Sequence, residues 1–113
     1  MIKISISKDE ITIKGHSGYS EHGFDIVCAS VSSISVTTVN ALLSIDEDCI
    51  TYEEKDGYLN IKINKHNEVI DKLINNMINL LKELEKQYKK NIEIREGGDI
   101  YENADIKYPI IRT

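Results

Sequence analysis

Two side chains of this chain, His16 and Cys28, are of types that together can break acyl bonds. A thiolate is a strong nucleophile, but a free thiol with a pKa of about 8.5 is mostly protonated near neutrality. A histidine beside it, or a helix N-terminus beneath it, favours the thiolate. The same histidine can act as base and then as acid toward a leaving group. The block that holds the pair runs Gly15-His16-Ser17-Gly18, then Tyr19-Ser20-Glu21-His22-Gly23-Phe24, then Asp25-Ile26-Val27-Cys28. Asp25 is a good N-cap type. With Asp25 as cap, Cys28 is the third helical residue, close to unpaired N–H groups that would also serve an oxyanion. Asp25 has a second role open to it, orienting His16. Capping alone is worth about 1 kcal/mol.

Plainer readings stand beside this one. A lone cysteine in an apolar helix is more often a small core residue than a nucleophile. Cys49 fits that description better, since it opens a strand with no cap or histidine next to it. His22 is a second candidate base within the glycine loop, and His66 reads as a surface or capping residue before a long helix. Ser32 and Ser35 follow Cys28 at i+4 and i+7 and share its helix face. They line a substrate groove, or else they let the helix pack closely on a neighbour. Glu53, Glu54 and Asp56 read as a solvated hairpin tip.

The elements around the block follow from period. Ile2, Ile4 and Ile6 alternate with polar residues, and so do Ile11 and Ile13, which predicts a hairpin ending at Gly15-His16. A loop over Ser17 to Phe24 leads into a helix over Ile26 to about Ile45. Cys49 to Glu53 and Tyr58 to Ile63 form a second hairpin about Lys55-Asp56-Gly57. Apolar residues from Val69 to Tyr88 recur at three and four, giving an amphipathic helix over about Asn67 to Lys90. Ile92 and Ile94 start a last strand, closed by Gly97-Gly98. The order ββαββαβ plus a C-terminal tail implies an α+β fold, a small α/β sandwich of a mostly antiparallel sheet and two helices. Residues 1–98 form one domain; residues 99–113 are a tail with enough apolar side chains to dock on the domain or on a dimer partner.

Composition narrows the function classes. The 113 residues are 41% hydrophobic and 29% charged, with a formal net charge of −5. That balance argues against general affinity for nucleic acid or anionic membranes, and an acidic surface would attract a basic peptide. Two cysteines without a CxxC or a Cys/His cluster give no disulfide framework and no metal or cofactor site. The serines, threonines and Asn40 within Ile26 to Ile45 leave that run short of a membrane span. No signal peptide is visible, so the expected location is the reducing cytoplasm.

Gly15-His16-Ser17-Gly18-Tyr19, Gly23, Asp25, Val27-Cys28-Ala29, Val31 and Ser32 together resemble the signature of the ribosomal-processing cysteine protease Prp family. The likeness extends over about residues 1–96. It implies a small homodimeric α/β enzyme that removes a short N-terminal extension from large-subunit ribosomal protein number twenty-seven. It implies His16 as the catalytic histidine and Cys28 as the nucleophile, with Asp25 and Ser32 at further motif positions. Gly15, Gly18 and Gly23 match a mobile loop that orders over substrate. Ser17 stands where the family commonly has alanine, and the tail after Gly98 exceeds the usual ending. Two other readings compete: a non-catalytic, ribosome-associated dimeric binding protein, and a thiol redox sensor built on Cys28.

Overall fold

The computed structural model describes residues 1–15 and 22–97, and for residues 22–25 the backbone alone. Its elements are β1 (Ile2–Ile6), β2 (Glu10–Lys14), α1 (His22–Ile45), β3 (Ile50–Lys55), β4 (Tyr58–Ile63), α2 (Glu68–Gln87) and β5 (Ile92–Glu96). The order is the expected ββαββαβ. The strands form one sheet in the order β3-β4-β2-β1-β5. All neighbours are antiparallel except β1 and β5, which run parallel with Ile2 opposite Ile92 and Ile4 opposite Ile94. The sheet is therefore mixed, and its last strand lies beside its first.

One face of the sheet carries the core. Ile2, Ile4, Ile6, Ile11, Ile13, Ile61 and Ile63 are buried in a cluster with Val27, Val31, Val39 and Leu42 of α1 and with Ile70, Ile74, Met77, Ile78 and Leu81 of α2. Period-two alternation leaves the polar strand residues on the other face. The Asn67 side chain accepts from the Ile70 N–H at 2.9 Å and caps α2. This helix ends at Gln87, with Tyr88 as its C-cap, a little short of the expected Lys90. Outside β5, the Glu85 carboxylate accepts from the Ile94 N–H at 2.8 Å. A strand edge is thereby kept from pairing freely.

Two expectations about α1 need correcting. The helix begins at His22, so His22, Gly23 and Asp25 lie in it, and Asp25 is not its N-cap. A single internal glycine costs only about 1 kcal/mol, and an acidic residue in an opening turn suits the positive end of the helix dipole. The segment Ile26–Ile45 is also long and apolar enough to cross a membrane, by length and composition alone. Its hydroxyl groups do not make it polar, because several fold back on the helix itself. Ser30 donates to the Ile26 carbonyl at 2.9 Å, Thr38 to Ile34 at 2.8 Å and Ser44 to Ala41 at 2.7 Å. One side of the segment faces the core, where Val27, Val31, Val39 and Leu42 are buried, while Ile26, Val36 and Ile45 stay exposed.

Candidate active site

Cys28 lies half-buried on α1, where it packs against the core and lines a cavity of about 260 Å3. Ser32 and Ser35 line the same cavity, as their i+4 and i+7 spacing from Cys28 requires. The opposite wall comes from Ile2, Ile13 and Gly15 at the paired ends of β1 and β2, and from the β3–β4 turn. One helix face and two hairpins thus converge on one thiol.

Gly15 fixes where the chain leaves β2. Its φ is +112°, and a Cβ at this position would run into the Met1 carbonyl oxygen. Only glycine meets both conditions without strain. The Gly15 N–H donates to the Gly57 carbonyl at 2.9 Å, which joins the end of β2 to the turn of the second hairpin. The residue before His16 is therefore held on the wall of the Cys28 cavity. His16 and Gly18 themselves lie outside the described residues, as does the tail of residues 99–113 with its expected docking.

The helix start changes the setting of the thiol. Counting from His22, Cys28 is the seventh helical residue and not the third. The four unpaired N–H groups of a helix belong to its first turn. The amide of Cys28 falls in the i to i−4 ladder, so the expected use of first-turn N–H groups at Cys28 does not hold. Gly23 and Asp25 are placed by their backbone in the opening turn of α1.

The hairpin tip is solvated as expected, with Glu53, Glu54 and Asp56 all exposed, but its side chains are not equivalent. Glu53 and Lys55 pair at 3.3 Å, the Lys55 ammonium sits 5.7 Å over the Tyr58 ring, and Lys55 also lines the Cys28 cavity. Glu54 lies between them in the strand, opposite Leu59 in register, and both Glu54 and Leu59 line the cavity with Asp56. Strand alternation was the signal that separates Glu54 from its neighbours. Ser35 also goes beyond its expected role. It is 1% exposed, and among the described residues its Oγ has no hydrogen-bond partner, unlike the back-bonded hydroxyls of the same helix.

The remaining titratable candidates sit elsewhere. Cys49 is buried, and its thiol donates to the Leu42 carbonyl at 3.4 Å. Burial pushes this thiol's pKa up, and the nearby Asp46 charge adds to the effect. His66 bridges Asp9 and Asp71, with Nε2 at 2.7 Å and Nδ1 at 2.8 Å from a carboxylate oxygen. It does not line the cavity. Among the described residues, no group of three His, Cys, Asp or Glu side chains is placed to hold a metal ion.

The comparisons with known proteins agree with this geometry. The profile of the family described as cysteine protease Prp matches residues 1–93. The chain is 30% identical over 87 residues to the ribosomal processing cysteine protease Prp of Bacillus subtilis strain 168, covering 71% of this chain and 78% of that one. It is 27% identical over 88 residues to the protein of the same name from Staphylococcus aureus strain NCTC 8325, covering 75% and 83%. Among solved structures, the S. aureus protease Prp in complex with a substrate peptide superposes with a TM-score of 0.78 at 24% identity, covering 86% of this chain and 100% of that one. SMU.848 from Streptococcus mutans gives a TM-score of 0.73 at 28% identity, covering 85% and 93%. The sheet order, the placement of Cys28 on its cavity and a family profile running through both hairpins and both helices converge: the chain belongs to the cysteine protease Prp family.

Proposed function

We propose that the protein is a cytoplasmic cysteine endopeptidase that removes the short N-terminal extension of large-subunit ribosomal protein number twenty-seven and so supports ribosome assembly. The observation that carries this reading is the shared cavity of Cys28 and Gly15, because Gly15 is the residue that leads into His16. In the reaction, the Cys28 thiolate attacks the scissile carbonyl carbon. His16 delivers a proton to the leaving amine as the C–N bond breaks. Water, giving its proton back to His16, then hydrolyses the thioester, releasing the peptide acid and restoring the thiol. With its backbone inside α1, Asp25 is assigned to orienting His16. Gly15, Gly18, Gly23 and Ser32 are assigned to the substrate side of the site.

The active form is proposed to be a homodimer. From Ile26 to Ile45 the helix carries no charged residue, and Ile26 and Val36 are exposed. An uncharged, partly apolar helix face of this kind is what two copies can bury between them. Sedimentation at micromolar concentration should give twice the mass of the chain, and a monomer would remove this part of the reading.

The direct test is cleavage of a peptide spanning the extension junction, followed by mass spectrometry. Wild type should cut at one bond, and Cys28→Ala should not. His16→Ala should lose activity while His22→Ala keeps it. Equal cutting by Cys28→Ala would end the peptidase reading.

A further inference from the structure

The cavity beside Cys28 has an uneven polar lining. Its walls include the apolar residues Val31, Val36 and Leu59, and Ser35 supplies a buried hydroxyl that no described group satisfies. Buried polar groups without partners are rare in native proteins, and one set on a cavity wall is a place for a ligand atom. The back-bonding of Ser30, Thr38 and Ser44 shows that this helix can satisfy its own hydroxyls, which Ser35 on the cavity wall does not do.

Charge is the second, independent observation. Glu54 and Asp56 line the cavity, and neither makes an ion pair or hydrogen bond among the described residues. The ammonium of the intervening Lys55 is occupied by Glu53 and stacked over Tyr58. Lys55 lines the same cavity, but with its ammonium paired to Glu53 the two carboxylates leave the lining net negative, and beside an apolar wall they match a side chain with an aliphatic stem and a cationic head. A second cavity of about 90 Å3, lined by Val36, Asn40, Tyr52 and Glu54, continues along α1 from the first. The two cavities share Val36, Glu54 and Leu59, which sets Glu54 at the junction of their linings.

We propose that this groove selects a peptide segment carrying lysine or arginine, a proposal that rests on the peptidase reading. Glu54 and Asp56 take up the cationic head, its stem lies along Val36 and Leu59, and the Ser35 hydroxyl bonds a polar atom of the peptide. The structure thereby gives the substrate a chemical requirement near the scissile bond: a positive charge.

The test compares two junction peptides, one with its lysines and arginines intact and one with them replaced by glutamine. Binding is read by fluorescence anisotropy on the non-cleaving Cys28→Ala protein, and cleavage on the protein with Cys28 in place. The intact peptide should be preferred by about tenfold at low salt, and the preference should fall as salt rises. Glu54→Gln with Asp56→Asn should erase most of that preference, and Ser35→Ala should weaken both peptides alike without lowering the thermal midpoint. An unchanged preference in the Glu54/Asp56 variant, alongside Cys28-dependent cleavage, overturns the proposal and leaves the peptidase reading intact. Loss of cleavage by wild type with charge-selective binding retained has the opposite meaning: the groove is supported and the peptidase reading fails.

Discussion

The amide of Gly15 donates to the carbonyl of Gly57 at 2.9 Å, and both residues have positive φ, +112° and +69°. Two hairpins far apart in sequence thus meet at two glycines, next to the thiol cavity. The two positions are not equally tolerant. Gly57 lies in the left-handed region that asparagine enters at modest cost. At Gly15 both the φ and the Met1 backbone oppose a side chain. Gly15→Ala should destabilise by about 1–3 kcal/mol, and Gly57→Asn by less than about 1 kcal/mol. Denaturant midpoints measured side by side would show the order, and equal losses would refute it.

His66 gives stability a pH dependence. Burial draws its pKa down, but hydrogen bonds to Asp71 and Asp9 outweigh it, and the folded value is raised above the ordinary histidine value. Ionised carboxylates only accept, so an imidazolium that donates from both ring nitrogens is the form that fits. A raised pKa contributes stability that is complete below the unfolded value, about 6.5, and is lost as pH rises through the folded value. Partial exposure of the trio keeps the effect within about 1 kcal/mol. Between pH 5.5 and pH 8.5, roughly the span of histidine titration, the wild-type midpoint should fall relative to that of His66→Gln. Parallel curves would remove the assigned bridge.

The two cysteines should react at very different rates. Cys28 is half-buried on a cavity, whereas Cys49 is buried with a raised pKa. Brief treatment with iodoacetamide should alkylate Cys28 at least about tenfold faster. Peptide mapping reads the ratio directly. Cys49 should catch up only in denaturant, and early labelling of Cys49 would contradict its place in the core.

Asp25 separates structure from kinetics. Its backbone is inside α1, so the roughly 1 kcal/mol of an N-cap does not apply to it. Asp25→Asn should shift the unfolding free energy by under about 0.5 kcal/mol and reduce cleavage by at least about tenfold through a misdirected His16. A stability loss that matches the kinetic loss would return Asp25 to a structural role.

Most of the fold was legible because it rests on local period. The isoleucines of β1 and β2 and the three- and four-residue spacing of α2 each name their own buried face. The parallel pairing of β5 on β1 was not legible, since strand order depends on contacts that no local window contains. The start of α1 lies earlier than the sequence suggests because Asp25 carries a capping signal and Gly23 a breaking signal, and both are weak beside the continuation of a long helix. In the site, the spacing of Cys28, Ser32 and Ser35 was readable as one face. The side taken by Glu54 required knowing the register of the β3–β4 hairpin.

The pairing of the first strand with the last also governs when the site comes into being. The N–H of Ile2 donates to the carbonyl of Asn91 at 2.8 Å, and the same Ile2 forms part of the wall facing Cys28. A chain still being translated carries α1 and its thiol long before β5 exists to hold that wall. Contacts between such distant positions form late and close the largest loop in the fold. The fold therefore imposes an order on its own assembly: the Cys28 thiol precedes β5 in the chain, and the wall that faces it is braced only after residues 92–96 have been made.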